Sequence, residues 1–288
     1  MKIALTQFAA SENPSKNLEK QVAMITAAAA KGAKIVCTQE LFKSKYFCIG
    51  LDPKNFELAE SMSGDTVGLL KTLAAKLDIV IVASLFENRG NEVYHNTAAI
   101  IDADGSLAGI YRKMHIPHDP HFEEKYYFTQ GDTGYGAWNT KYGKIGVLIC
   151  WDQWYPEAAR LTALAGADII FYPTAIGGLS DESREEVENF RNAWRTVQCG
   201  HAVANGAYVA AANRIGVEKG GGGEIKFWGG SFLSNPYGRI VALASETEEE
   251  ILLADVDYSV VKEFRRTWPF FRDRRTDSYD GILKRLHY

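Results

Sequence analysis

Three side chains with complementary chemistry each follow an apolar segment of the chain. Glu40 comes after AKIVCTQ, Lys113 after SLAGIYR, and Cys150 after KIGVLI. Because catalytic groups of layered α/β folds gather at the carboxyl ends of strands, we expect the three to lie together. A nearby ammonium group lowers a thiol pKa, and a carboxylate in reach takes the thiol proton and later delivers it to a leaving amine. The pattern indicates a nucleophilic cysteine, with Lys113 and a backbone N–H to hold an oxyanion.

Each of these residues also has an ordinary structural interpretation. Cys150 can be a small buried apolar residue, and Lys113 can be a solvated surface charge. Glu40 can cap a helix or pair with an arginine. The residue types alone therefore leave both interpretations open.

The apolar segments predict alternating strands and helices. Strands are predicted over 2–8, 33–39, 79–87, 94–102, 106–113, KIGVLICWD as far as Cys150, 167–173, 207–215, GGSFLSNP, GRIVALAS and EEILLADVD. Helices are predicted over 14–31, 66–76, 156–165 and roughly 181–204, with a long loop over 114–142. Strands that are apolar on both faces are buried by two facing sheets with helices outside. We expect one domain over residues 1–288, with 220–223 as a flexible surface hairpin.

Composition limits the classes of function. The chain has 288 residues, of which 46% are hydrophobic and 24% charged, so a large core can form. A formal charge of −4 argues against a general nucleic-acid binder and is compatible with a cationic small substrate. The 4 cysteines lack CxxC spacing and fit a reducing compartment better than disulfides or zinc. Without a signal-like or membrane-spanning segment, the sequence predicts a soluble cytoplasmic protein.

The segments around the three residues resemble a known family. TQELF, YRKMHIP and CWDQWYPEAAR are similar to the three signatures of the nitrilase (carbon–nitrogen hydrolase) superfamily, and the similarity runs from KIALTQF to DRRTDSY. The resemblance implies a four-layer α-β-β-α sandwich and a Glu–Lys–Cys triad of Glu40, Lys113 and Cys150. It also implies no metal or organic cofactor, and a homo-oligomer of at least two chains whose tail, about 259–288, packs at a subunit interface.

A second glutamate between the lysine and the cysteine is common in that superfamily. HFEEKYYFTQGD offers Glu123 and Glu124. Glu124 fits the family pattern better, because it directly precedes a basic residue and an aromatic pair. Its implied role is to orient Lys113 and tune its charge, while Glu123 is expected to be a loop charge.

Further segments resemble the subgroup that hydrolyses N-carbamoylputrescine. These are KYFCIG, KMHIPHDP, EKYYFTQGD, FYPTAIG and DRRTDSY. The expected reaction is hydrolysis of a linear carbamoyl amine to putrescine, carbon dioxide and ammonia, a step in polyamine biosynthesis. Alternatives are a sister enzyme with the same triad, such as an ω-amidase, a β-ureidopropionase-like enzyme or a nitrilase, and a non-catalytic interaction protein.

Residues near these motifs are candidates for substrate contacts. The predicted substrate-binding set is Tyr46, Phe122, Trp151, Asp152, Trp154, Thr174 and Ala175. The aromatic members can line an apolar slot for a methylene chain, and the Thr174 and Ala175 backbones follow a strand end. No arginine stands at 152–154 to clamp a carboxylate. Acids at 181, 182, 185 and 186 can instead hold a distal amine, or they form a solvated helix start.

Histidines raise two other possibilities. His115, His118 and His121, with Asp119, suggest a metal site, but a loop with two prolines does not force them onto one ion. His201 is a candidate partner for the cysteine. It lies inside a predicted helix, so Glu40 is the preferred base.

Overall fold

Strands and helices alternate along the chain, and the computed structural model describes residues 1–286. The strands, in chain order, are β1 (Lys2–Gln7), β2 (Ala33–Cys37), β3 (Val80–Gly90), β4 (Val93–Ile101), β5 (Leu107–Arg112), β6 (Ala137–Thr140), β7 (Gly143–Val147), β8 (Ile169–Pro173), β9 (Gly177–Leu179), β10 (Tyr208–Ala212), β11 (Ile215–Gly220), β12 (Gly223–Trp228), β13 (Phe232–Ser234), β14 (Ile240–Leu243) and β15 (Glu250–Asp255). The α-helices are α1 (Pro14–Ala30), α2 (Asp65–Leu77), α3 (Glu124–Tyr127), α4 (Pro156–Leu164), α5 (Arg184–Asn205) and α6 (Tyr258–Thr267).

Within the described residues, two six-stranded sheets form the centre of the fold. Their strand orders are β15-β1-β2-β3-β4-β5 and β14-β13-β10-β8-β7-β6. The middle of each sheet is parallel, β1-β2-β3 in the first and β7-β8-β10 in the second, with antiparallel strands on both sides. Parallel neighbours need a crossover, and α1, α2, α4 and α5 provide these connections.

The alternation of side chains explains the layering. Ile3 and Leu5 on β1 belong to the core cluster that also contains Ile169 and Val209 of the second sheet. Ala4, which points the other way, packs with residues of α1 and α2. Strands that are apolar on both faces are therefore buried between the facing sheet and a helix layer. The predicted four-layer α-β-β-α sandwich is confirmed.

The segment that carries Cys150 differs from the prediction. Strand β7 ends at Val147, and a 3₁₀ turn spans Cys150–Trp154. The Ile149 N–H donates to the Asp152 carboxylate at 3.0 Å instead of to a neighbouring strand. Cys150 itself has a φ of +41°, outside the β region. The prediction of a strand as far as Cys150 was wrong, because the Asp152 side chain accepts the backbone hydrogen bond that a neighbouring strand would otherwise accept.

Two other segments hold more structure than expected. The predicted loop over 114–142 contains α3 and the edge strand β6. The predicted strand over 207–215 ends at Ala212, and β11 begins a third sheet of order β11-β12-β9. The expected glycine hairpin joins β11 and β12, but its tip is packed rather than free. A Cβ on Gly221 would overlap the backbone of Gly50.

Helix α5 starts later than predicted. Ser183 caps it in a capping box, since its side chain accepts from the Glu186 N–H at 3.2 Å and Glu186 accepts from the Ser183 N–H at 2.8 Å. The first helical residue is therefore Arg184. The preceding acids Asp181 and Glu182 lie outside the helix.

The C-terminal part docks through α6. Val261 and Phe264 are buried, and Arg265 bonds Asp168 at 2.8 Å. Beyond α6, large apolar side chains are exposed, with Leu283 at 88%. That the chain is one domain and that its tail packs on a neighbouring subunit stay predictions, and residues 287–288 of this tail lie outside the described residues. In the described part of the chain, helices are too short or too polar to cross a membrane.

Candidate active site

Glu40 lies three residues past the end of β2 and is fully buried. Its Oε1 accepts from the Asn96 amide at 2.7 Å and from Lys113 Nζ at 2.9 Å. Its Oε2 is buried as well, and no described residue donates to it. A buried acceptor without a donor is costly unless another molecule uses it. This oxygen is therefore free to take a proton from a reacting group.

Lys113 directly follows β5, and its ammonium group is clamped between two carboxylates. Nζ donates to Glu40 at 2.9 Å and to Glu124 Oε2 at 2.6 Å, and all three side chains are fully buried. Burial on its own lowers the lysine pKa, but Glu124 and Glu40 outweigh it, so the pKa of Lys113 is well above its usual value. The group keeps its positive charge and holds a fixed position.

Glu124, rather than Glu123, reaches Lys113. It opens α3, and its second oxygen accepts from the Tyr46 hydroxyl at 2.7 Å. Burial raises the pKa of Glu124 to about 7, with Glu40 adding to this effect and Lys113 opposing it. Glu123 is partly exposed and lies 3.2 Å from His118. The catalytic role given to Glu124 stays a prediction.

Cys150 opens the 3₁₀ turn, with 5% of its surface exposed. Its Sγ lies 3.9 Å from the Ala175 carbonyl oxygen. Burial raises its thiol pKa well above the usual value, Glu40 and Glu124 raise it further, and Lys113 lowers it. The expected lowering by the ammonium group is present but outweighed. The sulfur is thus a neutral thiol, and the charges of Glu40, Glu124 and Lys113 all shift its pKa.

Asp152 locks the turn that carries Cys150. Its Oδ1 accepts from the His115 N–H at 3.0 Å and lies 2.7 Å from His115 Nδ1. Its Oδ2 accepts from the Tyr111 hydroxyl at 2.7 Å and the Ile149 N–H at 3.0 Å. Both oxygens are used within the protein. The residue ties the cysteine turn to the segment after Lys113, and its predicted contact with substrate stays a prediction.

Helix α5 supports the same turn from the other side. Gln153 Oε1 accepts from the Trp194 indole N–H at 2.8 Å, and His201 Nε2 bonds the Gln153 carbonyl at 2.8 Å. Burial lowers the pKa of His201, so the ring is neutral and its Nε2–H donates to this carbonyl. His201 thus holds the backbone of the turn.

Tyr46 and Phe122 form part of an aromatic wall next to Glu124. Tyr46 is buried, and its ring centroid lies 5.8 Å from that of Phe122. Trp151 and Trp154 are half-buried and pack edge to face at 6.3 Å on the cysteine turn. The position of these four rings is compatible with the predicted apolar slot, and their contacts with substrate stay predictions.

Thr174 and Ala175 have different surroundings. The Thr174 carbonyl accepts from the Glu40 N–H at 3.3 Å, its N–H donates to Ala212 at 2.8 Å, and its hydroxyl donates to Tyr172 at 3.0 Å. Thr174 thus joins the Glu40 segment to the second sheet, and its predicted contact with substrate stays a prediction. Ala175 stays a candidate, since its carbonyl faces the thiol.

The histidine-rich loop does not assemble a metal site. His115 pairs with Asp152, and His118 pairs with Glu123. Among residues 1–286, no three His, Cys, Asp or Glu side chains are arranged to hold a metal ion.

Some residues of the site were missed in the sequence. Asn96 orients Glu40, and its signal was a polar pair, Asn96-Thr97, inside an apolar strand. Arg214 and Glu218 form a buried ion pair at 2.9 Å behind the Glu40 segment. A charged residue two positions after the end of the apolar strand β10 was the available signal.

With this geometry defined, comparisons with known proteins identify relatives. A family model described as carbon-nitrogen hydrolase matches residues 2–266. The chain is 45% identical to the N-carbamoylputrescine amidase of Solanum lycopersicum, over 98% of this chain and 94% of the relative. It is 43% identical to the citrullinase of Francisella tularensis, over 99% of both chains. A crystal structure of a carbon-nitrogen hydrolase from Helicobacter pylori superimposes with a TM-score of 0.96 at 45% identity, covering 100% of both chains.

Proposed function

Because this chain belongs to the carbon–nitrogen hydrolase family, we propose that it hydrolyses a linear carbamoyl amine, N-carbamoylputrescine, with Cys150 as the nucleophile. The observation that carries the proposal is the buried Lys113, held between Glu40 at 2.9 Å and Glu124 at 2.6 Å, with the unpartnered Glu40 Oε2 beside it. This constellation supplies a base and an oxyanion-stabilising cation around one thiol.

The first step moves one proton. Since burial and Glu40 raise the thiol pKa, little thiolate exists before the substrate binds. Glu40 Oε2 takes the proton as the sulfur attacks the carbamoyl carbon and the carbonyl π electrons move onto oxygen. Lys113 and the Trp151 N–H stabilise that oxyanion. Proton transfer and attack are therefore coupled, which avoids a free thiolate beside two carboxylates.

The second step breaks a carbon–nitrogen bond. As the oxyanion collapses, one amine leaves with the proton held by Glu40, and a thioester-level carbamoyl group stays on Cys150. A water molecule, deprotonated by Glu40, attacks this group, and the sulfur leaves and takes back the proton from Glu40. The carbamic acid released then separates into carbon dioxide and the second amine. One water is consumed, and putrescine, carbon dioxide and ammonia are formed.

Glu124 and the hydroxyl group of Tyr46 act on Lys113. Glu124 fixes Nζ by its 2.6 Å contact, and the Tyr46 hydroxyl fixes Glu124 at 2.7 Å. A cation placed before the reaction needs no reorganisation as the oxyanion forms.

Glu182 is the acid best placed to bind the distal amine of the substrate. Among the four acids at the start of α5 it is half-buried, whereas Asp181, Glu185 and Glu186 are exposed and Glu186 belongs to the capping box. Its Oε2 accepts from the Leu179 N–H at 2.9 Å, which fixes the carboxylate and leaves Oε1 for a ligand. The relatives named N-carbamoylputrescine amidase, at up to 45% identity, support an amine at this end of the substrate.

A substrate panel tests the proposal. Ammonia release is measured with N-carbamoylputrescine, citrulline, carbamoyl-β-alanine and a dicarboxylic monoamide. We expect N-carbamoylputrescine to give the highest kcat/KM. A preference for citrulline would move the assignment to the activity named for the Francisella relative, and a preference for the acidic amides would move it to a sister amidase.

The amine contact has a control three residues further on, in the first turn of α5. Glu182→Gln should raise the KM for N-carbamoylputrescine about tenfold or more, because a hydrogen bond between charged partners is lost. Glu185→Gln, which removes an exposed acid three residues away, should leave KM unchanged. Equal effects of the two substitutions would reject Glu182 as the amine site.

A further inference from the structure

Arg214 and Glu218 form an ion pair that is almost completely removed from solvent. Nη1 of Arg214 lies 2.9 Å from Glu218 Oε1, and their side chains are 0% and 3% exposed. Desolvation makes a buried pair about neutral for stability compared with apolar residues. Stability alone therefore gives no reason for two charges at this place, and their contacts point to another role.

The arginine contacts the backbone that follows the proposed base. Its Nη2 donates to the carbonyls of Glu40 at 2.5 Å and Leu41 at 3.2 Å, and Nη1 donates to the Ser44 carbonyl at 3.3 Å. Leu41 has a φ of +48°, a left-handed conformation that is unfavourable for a residue with a side chain. The planar fork of the guanidinium holds this strained turn through three carbonyls.

The glutamate contacts the other end of the same segment. Its Oε2 accepts from the Tyr46 N–H at 2.5 Å. The hydroxyl of Tyr46 in turn donates to Glu124 Oε1 at 2.7 Å. Glu218 thus sets the position of the residue that orients the second carboxylate.

We propose that the Arg214–Glu218 ion pair is a positioning device that sets both Glu40 and Glu124 against Lys113. Arg214 acts through the backbone of Glu40, and Glu218 acts through Tyr46. Neither residue touches the reacting atoms. The inference rests on the catalytic roles proposed above for Glu40 and Glu124.

Two substitutions separate geometry from charge. Arg214→Lys keeps the positive charge but loses the fork, so it cannot hold three carbonyls and Glu218 together. Glu218→Gln keeps the shape but places an amide where either Tyr46 N–H or Arg214 needs an acceptor. For both variants we expect kcat to fall about tenfold to a hundredfold with little change in KM, since misplacement of about 1 Å at a reacting group has this effect.

A second readout does not depend on the substrate. The rate at which iodoacetamide alkylates Cys150 is measured against pH, with peptide mass mapping to separate this thiol from the other cysteines. Arg214→Lys should slow alkylation at neutral pH and move the midpoint of the profile upward, because the displaced Glu40 no longer assists loss of the thiol proton.

Arg265→Lys is the matched control. Arg265 also pairs with a carboxylate, Asp168 at 2.8 Å, and donates to the Ala167 carbonyl at 2.8 Å, but it lies on α6. This variant should lower the Tm and leave kcat and the alkylation profile unchanged.

The proposal is overturned if folded Arg214→Lys and Glu218→Gln keep the wild-type kcat and alkylation profile. It is also overturned if Arg265→Lys loses as much activity at an equal loss of Tm. If the wild-type protein turns over no substrate of the panel, the proposed function fails. The alkylation profile then still decides whether the ion pair positions Glu40.

Discussion

Lys113 is the side chain on which the charges of the site depend. Two carboxylates and one ammonium group, all fully buried, carry an excess negative charge when both acids are ionised. The pKa of Glu124, raised to about 7 mainly by burial, shows how the site relieves this excess. Below a pH of about 7, Glu124 is protonated and the excess negative charge is removed. Lys113 keeps its proton to a much higher pH, so its positive charge persists.

Lys113→Met should remove the positive charge that lies between the two buried carboxylates. We expect kcat/KM to fall about a hundredfold to a thousandfold, as for loss of an oxyanion-stabilising group. The free energy of unfolding should fall by about 3–5 kcal/mol, because two buried carboxylates lose their partner. Steady-state kinetics and urea unfolding measure the two effects. Lys20→Met, which breaks a surface pair with Glu249, should change neither by a comparable amount. Wild-type kcat/KM in Lys113→Met would contradict the assigned role.

Glu124 predicts a specific dependence of stability on pH. Its pKa is raised from 4.5 to about 7 in the folded state, so the folded protein binds this proton more tightly than the unfolded chain. The resulting stability is complete below the unfolded pKa and is lost as pH rises through the folded pKa, with a slope of at most about 1.4 kcal/mol per pH unit. Urea unfolding of the wild type and Glu124→Gln measures it. The wild type should lose stability relative to the variant as pH rises from 4.5 to about 7, and parallel curves would contradict this.

The convergence of single residues was predictable where a reactive type follows an apolar strand. Glu40 and Lys113 lie together as this pattern predicted, Glu124 was predicted through the family resemblance, and the catalytic roles of all three stay predictions. Asn96 and Arg214 were not predicted, because their importance lies in contacts with Glu40 that are 56 and 174 residues distant in sequence. Asp152 shows a second limit of the sequence. An acid beside the nucleophile was predicted to bind substrate, but its four hydrogen bonds within the protein could not be predicted from its position.

At the scale of elements, the 3₁₀ turn Cys150–Trp154 decides where the sulfur lies. Strand β7 brings the chain to the edge of the sheet, and Asp152 and His201 then hold the turn from opposite sides. The left-handed φ of Cys150, +41°, is maintained by this support. A turn held by side chains presents the thiol more rigidly than a free loop would.

Asp152→Asn tests the turn. At present the Tyr111 hydroxyl and the Ile149 N–H both donate hydrogen bonds to Asp152 Oδ2. An asparagine NH2 group in the place of this oxygen cannot accept them. We expect a loss of about 1–3 kcal/mol in stability from the unsatisfied donors. The value of kcat should fall while KM changes little. Urea unfolding measures the stability and steady-state kinetics measure kcat and KM. Asp255→Asn, at an exposed ion pair with Lys2, serves as the control in both measurements. A rise in KM at constant kcat would instead support the prediction that Asp152 binds substrate.

Most elements were predictable because their apolar patterns are long. Strands such as β3 and β10 are buried on both faces, and their sequences show it directly. Several missed elements are short, whereas α6, with 10 residues, was missed inside the tail that was expected to pack on a subunit. Helix α3 has four residues and β6 has four, too few for a periodic pattern to appear. The break between β10 and β11 depends on Asn213, whose amide bonds Ile176, a partner distant in sequence.

At the scale of the whole molecule, the site lies where the two sheets meet. Glu40 and Lys113 follow strands of the first sheet, and Cys150 follows a strand of the second. The Glu40 N–H to Thr174 carbonyl bond, at 3.3 Å, joins the two sheets beside the base. Packing of the two sheets against each other therefore sets the geometry of the site. This explains how Glu40, Lys113 and Cys150, which are far apart in sequence, come together.

The exposed tail predicts an oligomer. Ile282, Leu283 and Leu286 are 62%, 88% and 63% exposed, more than an isolated chain favours for adjacent large apolar residues. We expect the full chain to sediment as a dimer or larger, and a truncation after Thr267, which keeps α6, to shift it toward smaller species. Analytical ultracentrifugation measures both, with Arg275→Ala in the tail as a milder variant. A monomeric full chain at micromolar concentration would contradict the prediction.

Attack by the Cys150 sulfur on the carbamoyl carbon is tested most directly by a paired thiol experiment. Cys150→Ala and Cys199→Ala each remove one thiol, the first beside the buried charges and the second on α5. Folding is checked by circular dichroism, ammonia release is measured with N-carbamoylputrescine, and acid-quenched protein is analysed by peptide mass mapping. We predict no turnover and no carbamoyl adduct in Cys150→Ala, with normal turnover and an adduct on Cys150 in Cys199→Ala. A folded Cys150→Ala protein that still releases ammonia would contradict a cysteine mechanism.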